Sequence, residues 1–503
     1  MVAHVNTVAF QGIDVTDVDV QVHISAGLPA FTIVGLPDKA VGESKERVRA
    51  ALHSLGLSLP PKRITINLAP ADLAKEGSHY DLAIAVGLLI SMEVLPQEEI
   101  DQYIILGELA LDGGVLPVSG VLPAMVLALS QEKGMICPEA NGGEAVWVDD
   151  VTSVIAVPSL LALVNHFRGH QVIAVPQKVA LEEETNYPDL KDIRGQEIAK
   201  RALEVAAAGG HNLLMIGPPG AGKSMLASRL PGLIPELDSE EMLHVNMIAS
   251  IAGKLSDGRL KRLRPFRDPH HSCSMAAMVG GGRTAKPGEI TLAHGGVLFL
   301  DELPEFSRNV LDSLRQPTET GKITVARVNS HVTYPARFQL VAAMNPCRCG
   351  YLSDPGQACN KAPKCAVDYQ NRISGPLFDR MDIHIDVPAV SVLELEQTKP
   401  SEGSAQVRER VVMARDIQRE RYKSSGIKTN AEVDGELLRE VTQTDNTAMD
   451  MLRQAVEKLN LSMRGYNRVL RVARTIADLE RQRSVQRHHI AEALSYRVAR
   501  LRG

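Results

Sequence analysis

The chain has 503 residues, a net charge of −5 at pH 7 and six cysteines. Its length allows three domains of ordinary size, and so mild a charge excludes a protein that binds nucleic acid over its whole surface. We expect no membrane span, because no apolar run reaches the ~20 residues that a span needs, and no secretory leader. Six cysteines in so long a chain do not make a disulfide framework, which favours a cytoplasmic protein.

Residues 1–175 alternate strand-like and helical patterns. The predicted strands are Val18–Ile24, Arg63–Leu68, Tyr103–Gly107, Gly134–Cys137 and Val154–Val157. The predicted helices are Gly42–Leu55 and Tyr80–Ser91. This alternation predicts an α/β domain, and the acidic, irregular residues 176–188 that follow are typical of a linker.

Residues 217–224 are Gly-Pro-Pro-Gly-Ala-Gly-Lys-Ser, and they follow the apolar run Leu213–Ile216, a predicted buried strand. A polyphosphate needs backbone N–H groups that approach it without an intervening Cβ, and glycine provides them. We expect Lys223 to reach the β- and γ-phosphates of ATP and the Ser224 hydroxyl to bind Mg²⁺. A helix from about Ser224 to Leu230 would direct its positive N-terminal end at the phosphates. The predicted nucleotide-binding residues of this loop are Gly217, Pro218, Pro219, Gly220, Ala221, Gly222, Lys223 and Ser224.

Two further strands are predicted to complete this site. Val297–Leu300 ends in Asp301 and Glu302, which predicts a Mg²⁺ ligand followed by the base that activates water. The strand Phe338–Met344 is followed by Asn345, whose amide is suited to orient the attacking water. The alternatives are a solvated turn for the acidic pair and an ordinary strand-end residue for Asn345. With the phosphate loop, these strands predict a nucleotide-binding core of α/β class with a parallel sheet over residues 189–390.

Four cysteines, Cys347, Cys349, Cys359 and Cys365, lie within nineteen residues of a Gly/Pro-rich loop of this core. Four thiolates can close a tetrahedral Zn²⁺ site and fold a loop that has no apolar core of its own. Because their spacing is irregular, reduced structural thiols are an equal alternative.

Positive charge is concentrated over residues 254–286, which hold eight Lys and Arg residues against two Asp residues. The segment also contains His270-His271 and the glycines 280–282, which we interpret as a hinge. A flexible basic loop inside a nucleotide-binding core indicates contact with a phosphate backbone.

Residues 391–503 are predicted to form a helical lid domain. Its predicted helices are Val407–Ser424, Thr444–Leu459, Arg464–Gln482 and Gln486–Leu501. The last fifty residues are also basic, which is typical of a solvated helix face or of contact with DNA.

The phosphate loop, the strand ending in Asp301-Glu302 and Asn345 together resemble an AAA+ ATPase. Over nearly its whole length the chain resembles the ComM/YifB family of magnesium-chelatase-like ATPases. The segments that carry this resemblance are Thr65–Asp72, Arg264–His271, Pro287–Ile290, Leu303–Phe306, Asn345–Cys347 and Ser374–Arg380.

The resemblance implies roles for two arginines. Arg380 matches the arginine finger that enters the neighbouring subunit's site, and Arg464 matches the lid arginine that senses the γ-phosphate. A guanidinium fork stabilises charge on a transferring phosphoryl group, which suits both roles. Arg372 and Arg468 are the competing candidates.

Two segments correspond to loops that line the central pore in the family. These are residues 254–286 and a hairpin from Lys322 to Val332. The residues expected to contact DNA are Arg264, Arg267, His270, His271, Lys286, Lys322, Arg327 and His331.

The N-terminal domain resembles the Lon-protease fold but lacks its catalytic pair. His79 and Ala124 stand where the serine nucleophile and its lysine base would be. Without them there is no acyl-enzyme chemistry, so we expect a non-proteolytic scaffold, with Ser78 as a shifted nucleophile being the weaker alternative.

As a whole, the resemblance implies an ATP- and Mg²⁺-dependent DNA helicase that assembles as a homo-hexamer and drives branch migration of DNA during natural transformation. Its expected partners are double-stranded, branched or single-stranded DNA and recombination proteins. The alternative is a chelatase-type ATPase that remodels a protein partner, although the Asp-x-Ser-x-Ser motif of a metal-acceptor module is absent. An ATP-dependent protease is disfavoured by the missing serine and lysine.

Overall fold

The computed structural model describes residues 2–148, 153–178, 187–255, 259–281, 286–326, 331–350, 352, 360–361, 363–389, 402–459 and 461–497. Among the helices of these residues, none combines the length and the apolar character needed to cross a membrane.

The N-terminal part is a mixed sheet flanked by helices, as the sequence predicts. The strands are β1 Val2–Gln11, β2 Asp14–Ser25, β3 Ala30–Val34, β4 Arg63–Ala69, β5 Tyr103–Ile105, β6 Glu108–Leu109, β7 Val115–Leu116, β8 Gly134–Pro138 and β9 Val154–Val157. The spatial order of the main sheet is β3-β4-β2-β1-β5-β8-β9, and β6 pairs with β7. The five predicted strands are confirmed, whereas β1, β3, β6 and β7 were not predicted.

The helices of this part pack on the sheet through apolar faces. They are α1 Lys39–Ser54, α2 Asp81–Ser91, α3 Gln97–Ile100, α4 Val121–Ser130, α5 Gly142–Ala145 and α6 Leu160–Phe167. Nearly every residue of α2 is buried, and its Gly87 lies so close to β2 that an added Cβ would stand 2.6 Å from Val22 Cγ2. The small residue therefore sets the distance between helix and sheet.

The second part contains a parallel sheet, which confirms the predicted class. The strands of this sheet are β10 Leu213–Ile216, β11 Phe266–Arg267, β14 Val297–Leu300, β17 Gln339–Met344 and β18 Ile383–Asp386. Two small sheets lie beside it, formed by β12 Gly280–Gly281 with β13 Lys286–Pro287 and by β15 Lys322–Ala326 with β16 His331–Pro335. The sheet order is β11-β14-β17-β10-β18, with every neighbouring pair parallel. Because the carboxyl ends of parallel strands meet at one edge, this order decides which loops can meet.

The helices of the second part surround this sheet. They are α7 Glu197–Gly209, α8 Lys223–Leu233, α9 Ser239–Ile251, α10 Met275–Val279, α11 Glu289–Leu292, α12 Arg308–Ser313, α13 Arg315–Thr320, α14 Lys364–Gln370 and α15 Gly375–Phe378. The helix after the phosphate loop begins at Lys223, within one residue of its predicted start.

The expected glycine hinge is a short β-ladder. Gly280 and Gly281 form β12, which pairs antiparallel with β13, and an added Cβ on Gly280 would stand 2.6 Å from Lys286 O. Glycine is thus required at position 280 for close strand contact, and the prediction of a hinge there was wrong. Residues 282–285 lie outside the described part of the chain.

The hairpin inferred from the resemblance is present, and its strands are longer than expected. β15 and β16 pair antiparallel from Lys322 opposite Pro335 to Ala326 opposite His331. Arg327, at the expected tip, and the side chain of His331 lie outside the described residues.

The C-terminal part is helical, as predicted. Its helices are α16 Ser404–Arg421, α17 Gly435–Val441, α18 Asn446–Leu459, α19 Met463–Leu479 and α20 Arg487–Ser495. The four predicted helices are confirmed with shifted ends, and α17 is an additional short helix. Leu203 of α7, Val411 of α16 and Ala473 of α19 belong to one buried cluster, so these helices pack on the core.

The N-terminal part contacts the core at two places. The Gly120 amide, which precedes α4, donates to the backbone oxygen of Ser250 in α9 at 3.3 Å, and the Ser250 hydroxyl bonds to buried Glu144. At the β1–β2 turn, an added Cβ on Gly12 would stand 2.9 Å from Val332 Cγ1 of the β15–β16 hairpin.

Candidate nucleotide-binding site

The predicted phosphate loop connects β10 to α8 and has the backbone geometry that such a loop needs. Gly220 and Gly222 have φ angles of +75° and +85°, in the left-handed region that glycine tolerates best. Gly217 donates its N–H to Met344 O at 3.2 Å, and an added Cβ there would stand 2.1 Å from Val387 O. Glycine is therefore favoured at positions 220 and 222 by the backbone conformation and required at position 217 because there is no room for a Cβ.

Lys223, the first residue of α8, is buried, and its ammonium turns back over the loop. Nζ donates to Gly217 O at 2.8 Å, to Pro218 O at 2.9 Å and to Asn345 Oδ1 at 3.2 Å. Burial lowers the pKa of Lys223, and the nearby carboxylates of Asp301 and Glu302 oppose that shift. A buried cation held mainly by neutral oxygens above a glycine-rich loop fits a polyanion such as the phosphates of ATP.

Ser224 and Asp301 meet as the Mg²⁺ prediction requires. The Ser224 hydroxyl donates to Asp301 Oδ2 at 2.7 Å, and Asp301 Oδ1 accepts from the Glu302 N–H at 2.8 Å. Mg²⁺ prefers one or two carboxylate or hydroxyl oxygens together with water and phosphate oxygens. This donor set therefore fits a magnesium ion that is bound together with a nucleotide.

Asn345 follows β17, the strand between β10 and β14 in the sheet. This position lies between the phosphate loop and Asp301, and the contact with Lys223 fixes the amide there. An amide at this place can orient a water near the terminal phosphate.

Glu302 has a φ of +51°, which is uncommon for any residue other than glycine, and its side chain is half exposed. His271 Nδ1 lies 3.5 Å from Glu302 Oε2. His271 was predicted to contact DNA, and the structure places it beside the expected base.

Asp268 was not predicted as a site residue. Burial and the Asp301 carboxylate raise the pKa of Asp268. Asp268 directly follows β11, which pairs with β14, the strand that ends before Asp301. The signal was available in the sequence: Asp-Pro-His-His directly follows the short strand β11. Asp268 comes near Asp301 because β11 pairs with β14, and the sequence did not predict that pairing.

Arg380 lies at the opposite edge of the sheet from the phosphate loop. It precedes β18, whose first residue, Ile383, pairs with Leu213 at the start of β10, whereas the loop follows the end of β10. Four strand residues separate the two edges by roughly 13 Å. Arg380 is largely buried, donates from Nη1 to Pro376 O at 2.7 Å and pairs with Glu319.

Arg464 lies in the first turn of α19, with an exposed side chain. Burial first, and then the charges of Arg315, Arg464 and Arg468, lower the pKa of Arg380. Arg464 lies one helical turn before Arg468, which pairs with Asp382 just before β18. Both predicted arginines are therefore placed near the start of β18, away from the phosphate loop that follows the end of β10.

The competing candidates have internal acid partners. Arg468 Nε lies 3.4 Å from Asp382 Oδ1, and Arg372 Nη1 lies 3.0 Å from Glu305 Oε2.

Comparison with known proteins agrees with this geometry. The family model described as "Magnesium chelatase, subunit ChlI" matches residues 189–395, and models for the ChlI subunit and for its C-terminal part match 20–141 and 401–497. The competence protein ComM of Haemophilus influenzae is 45% identical over 496 residues, which cover 97% of this chain and 96% of that protein. The chain belongs to the ComM/YifB family of magnesium-chelatase-like ATPases.

The family extends to other bacteria and to chelatase subunits. The uncharacterized protein YifB of Escherichia coli is 44% identical and covers 98% of this chain. The magnesium-chelatase 38 kDa subunit of Rhodobacter capsulatus is 25% identical and covers 61% of it. As a member of the ComM/YifB family, the protein is an AAA+ ATPase that uses ATP and Mg²⁺.

Two of the residues expected to contact DNA in this ComM/YifB-family protein have internal partners instead. The Arg264 guanidinium donates to Pro235 O at 2.5 Å, to Gly295 O at 2.6 Å and to Glu241 Oε2 at 2.8 Å. Arg267 forms a two-pronged ion pair with Glu289, at 2.5 and 2.8 Å. Their hydrogen-bonding capacity ties the segment to the core, and their contact with DNA stays a prediction.

The other described candidates, His270, Lys286 and Lys322, are exposed. The His270 ring packs on the His271 ring, with centroids 4.1 Å apart, and His271 in turn lies beside Glu302.

The thiols of Cys347, Cys349 and Cys365 lie within 4.8 Å of one another. Cys359, the fourth predicted ligand, lies outside the described residues.

The positions that correspond to the Lon catalytic pair are buried. His79 Nε2 donates to Val8 O at 2.9 Å, and Ala124 is fully buried in α4. The Ser78 hydroxyl donates to the carboxylate of Glu108. A carboxylate partner provides no amine base for Ser78.

Proposed function

We propose that this protein is an ATP-driven DNA translocase that acts as a homo-hexameric ring and promotes branch migration of incoming DNA. One observation carries the ring: Arg380 and Asp382 precede β18, and Arg464 lies one helical turn from Arg468, which pairs with Asp382, so both arginines are at the end of the strands opposite to the phosphate loop. They can serve nucleotide only if they face the loop of another copy. Closed rings generate such head-to-tail contacts.

In this proposal the residues of one site come from two protomers. Lys223 and the loop amides bind the phosphates, and Ser224 and Asp301 hold Mg²⁺. Glu302 takes a proton from a water that Asn345 orients, while Arg380 and Arg464 of the neighbouring protomer stabilise the developing charge. The cycle uses ATP and Mg²⁺.

DNA contact is proposed for Lys286 and Lys322, which are exposed on the β12–β13 ladder and on the hairpin. Arg327 and His331 remain candidates at the hairpin tip. His270 stacks on His271, which lies 3.5 Å from Glu302, so a DNA strand that engages these histidines would be close to the proposed base. The link to transformation is supported by the similarity to the competence protein ComM.

The test is the ATPase rate of the full chain with double-stranded, branched or single-stranded DNA and without polymer, at two salt concentrations. A translocase should be stimulated by DNA, and the stimulation should fall as salt rises because phosphate contacts release counterions. Branch migration of a labelled four-way junction is then measured under the low-salt condition. Turnover that DNA does not change at either salt would contradict the proposal.

The second candidate is an ATPase that remodels a protein partner. It is favoured by the similarity to the magnesium-chelatase 38 kDa subunit. ATPase activity that responds to a protein fraction and not to any DNA would support it.

A further inference from the structure

The thiol cluster lies directly after the nucleotide site. Cys347 is two residues beyond Asn345, and Cys349 follows in the turn that the Gly350 N–H closes onto Cys347 O at 3.0 Å. Cys365 lies in the first turn of α14, sixteen residues after Cys349. Three thiols from two separate segments therefore meet at one point.

The sulfur positions suit a tetrahedral metal ion. Zinc–thiolate bonds of ~2.3 Å place ligand sulfurs about 3.8 Å apart, and the three sulfurs here lie within 4.8 Å of each other. The Sγ atoms of Cys347 and Cys349 are 3.0 Å apart, well beyond the ~2.05 Å of a disulfide. Movements of less than an ångström would therefore bring the sulfurs to tetrahedral spacing.

The chemistry of the donors selects the class of metal. Thiolate is a soft ligand that binds zinc in preference to magnesium or calcium, which take oxygen ligands. Cys347 is fully buried. Thiolates packed this closely repel one another unless a cation lies between them.

The cluster also contacts the phosphate loop. Gly350 has a φ of +87°, and an added Cβ would stand 2.6 Å from Pro219 Cδ. The two segments that carry the cysteines touch again where Gln370 Nε2 donates to Pro346 O at 3.3 Å. An ion held by the thiols would fix Asn345 on one side and Pro219 on the other.

We infer that Cys347, Cys349 and Cys365 bind a structural Zn²⁺ ion that holds the turn after Asn345 against the phosphate loop. The three thiolates supply three of the four positions of a tetrahedral site. This inference rests on the cluster itself and is independent of any action on DNA.

The first experiment is elemental analysis of the full chain purified without added metal. We expect about one zinc per chain, as in structural sites of this type. Cys349→Ser and Cys365→Ser should each lower the zinc content several-fold, whereas Cys273→Ser, a cysteine outside the cluster, should leave it unchanged. Wild-type protein loaded with Co²⁺ should show the visible absorption of tetrahedral cobalt thiolate.

Zinc far below one per chain in the wild type would overturn the inference, as would zinc retained by a Cys349→Ser/Cys365→Ser protein. A Cys347–Cys349 disulfide found by mass spectrometry of the unreduced protein would overturn it as well. If the serine variants do not fold, a mercurial reagent is titrated into wild-type protein with a zinc indicator. Zinc should then appear in step with modification of the thiols, and no release would count against the site.

The proposed effect of zinc on the phosphate loop is tested separately. The affinity of the protein for a fluorescent ATP analogue is measured before and after zinc release. We expect weaker binding after release and recovery when Zn²⁺ is restored. Unchanged affinity would show that the metal does not hold the phosphate loop. This measurement needs no DNA, so its failure is distinguishable from failure of the proposed translocase.

Discussion

Glu302 combines two features that suit a catalytic base. It follows the buried strand β14, and its backbone lies in the left-handed region, where a non-glycine residue is held only by its surroundings. Asp301 beside it accepts from both the Ser224 hydroxyl and the Glu302 N–H. The Mg²⁺ ligand and the base are therefore fixed relative to each other by adjacent backbone.

Glu302→Gln should lower ATP hydrolysis by about 10²- to 10⁴-fold, because an amide cannot accept the proton of the attacking water. Nucleotide binding should persist, since Lys223 and the loop are untouched. The measurement is steady-state phosphate release alongside binding of a fluorescent ATP analogue. Glu98→Gln, an exposed change in the N-terminal part, is the control, and near-normal hydrolysis by Glu302→Gln would contradict the assigned base.

Arg264 and Lys286 lie in the same basic segment but are expected to respond differently to substitution. Arg264→Ala leaves three backbone carbonyls without this donor and leaves Lys428 as the remaining cationic partner of Glu241. It should therefore lower the free energy of unfolding by roughly 2–4 kcal/mol. Lys286→Ala should leave stability unchanged and weaken DNA stimulation of the ATPase. Urea unfolding and DNA-stimulated ATPase rates are measured for both variants. A stable Arg264→Ala protein that has lost only DNA stimulation would contradict this structural role and support Arg264 as a DNA contact.

His79 connects two elements of the N-terminal part, since its ring bonds to Val8 of β1 and packs between Phe10 and Tyr80 at the start of α2. Burial lowers the pKa of His79 from 6.5 to about 4. His79, which stands where the resemblance to the Lon-protease fold places the nucleophile, therefore packs as a neutral ring between β1 and the start of α2.

This gives the N-terminal part a defined pH dependence. Between pH 6.5 and 4 the unfolded chain binds a proton at His79 that the folded chain excludes, so stability falls as pH falls through this window. The free energy of unfolding falls by about 3 kcal/mol across this window because of His79. Urea midpoints at pH 7.5 and 5 should differ less in His79→Gln than in wild type, while exposed His53→Gln should behave as wild type. An equal pH dependence in all three proteins would refute the role of His79.

For the whole molecule, the main consequence of the proposed ring is that each chain would supply parts of two different nucleotide sites. The phosphate loop lies at one edge of the core sheet and Arg380 at the other. Within the chain, the Arg380 guanidinium pairs with Glu319 and donates to Pro376 O. It must leave these partners before it can contact nucleotide bound to a neighbouring subunit.

Mixing two inactive variants tests this arrangement. Lys223→Ala and Arg380→Ala should each abolish hydrolysis alone, whereas an equimolar mixture should recover activity at about a quarter of its interfaces if subunits assemble at random. The mixture is prepared by denaturant-free subunit exchange and assayed for phosphate release. Mixing Lys223→Ala with a Lys223→Ala/Arg380→Ala protein is the control. No recovery in a mixture shown to form mixed rings would mean that Arg380 acts within its own chain.

The sequence alone determined the chemistry of the phosphate side of the site. Gly217, Lys223, Ser224 and Asp301 were found because each follows a short apolar strand with a local motif, and backbone conformation and side-chain chemistry are decided over a few neighbouring residues. The strands β10 and β14 and the four main C-terminal helices were found for the same reason, from local periodicity.

The tertiary structure decided which distant residues share a surface. Arg264 and Arg267 carry the charge of a DNA contact, but the acceptors that occupy them come from Glu241 and Glu289. His271 lies beside Glu302 because β11 pairs with β14, and Arg380 lies far from its own loop because β18 runs parallel to β10. Strand order and ion pairing depend on long-range packing, which no local pattern in the chain specifies.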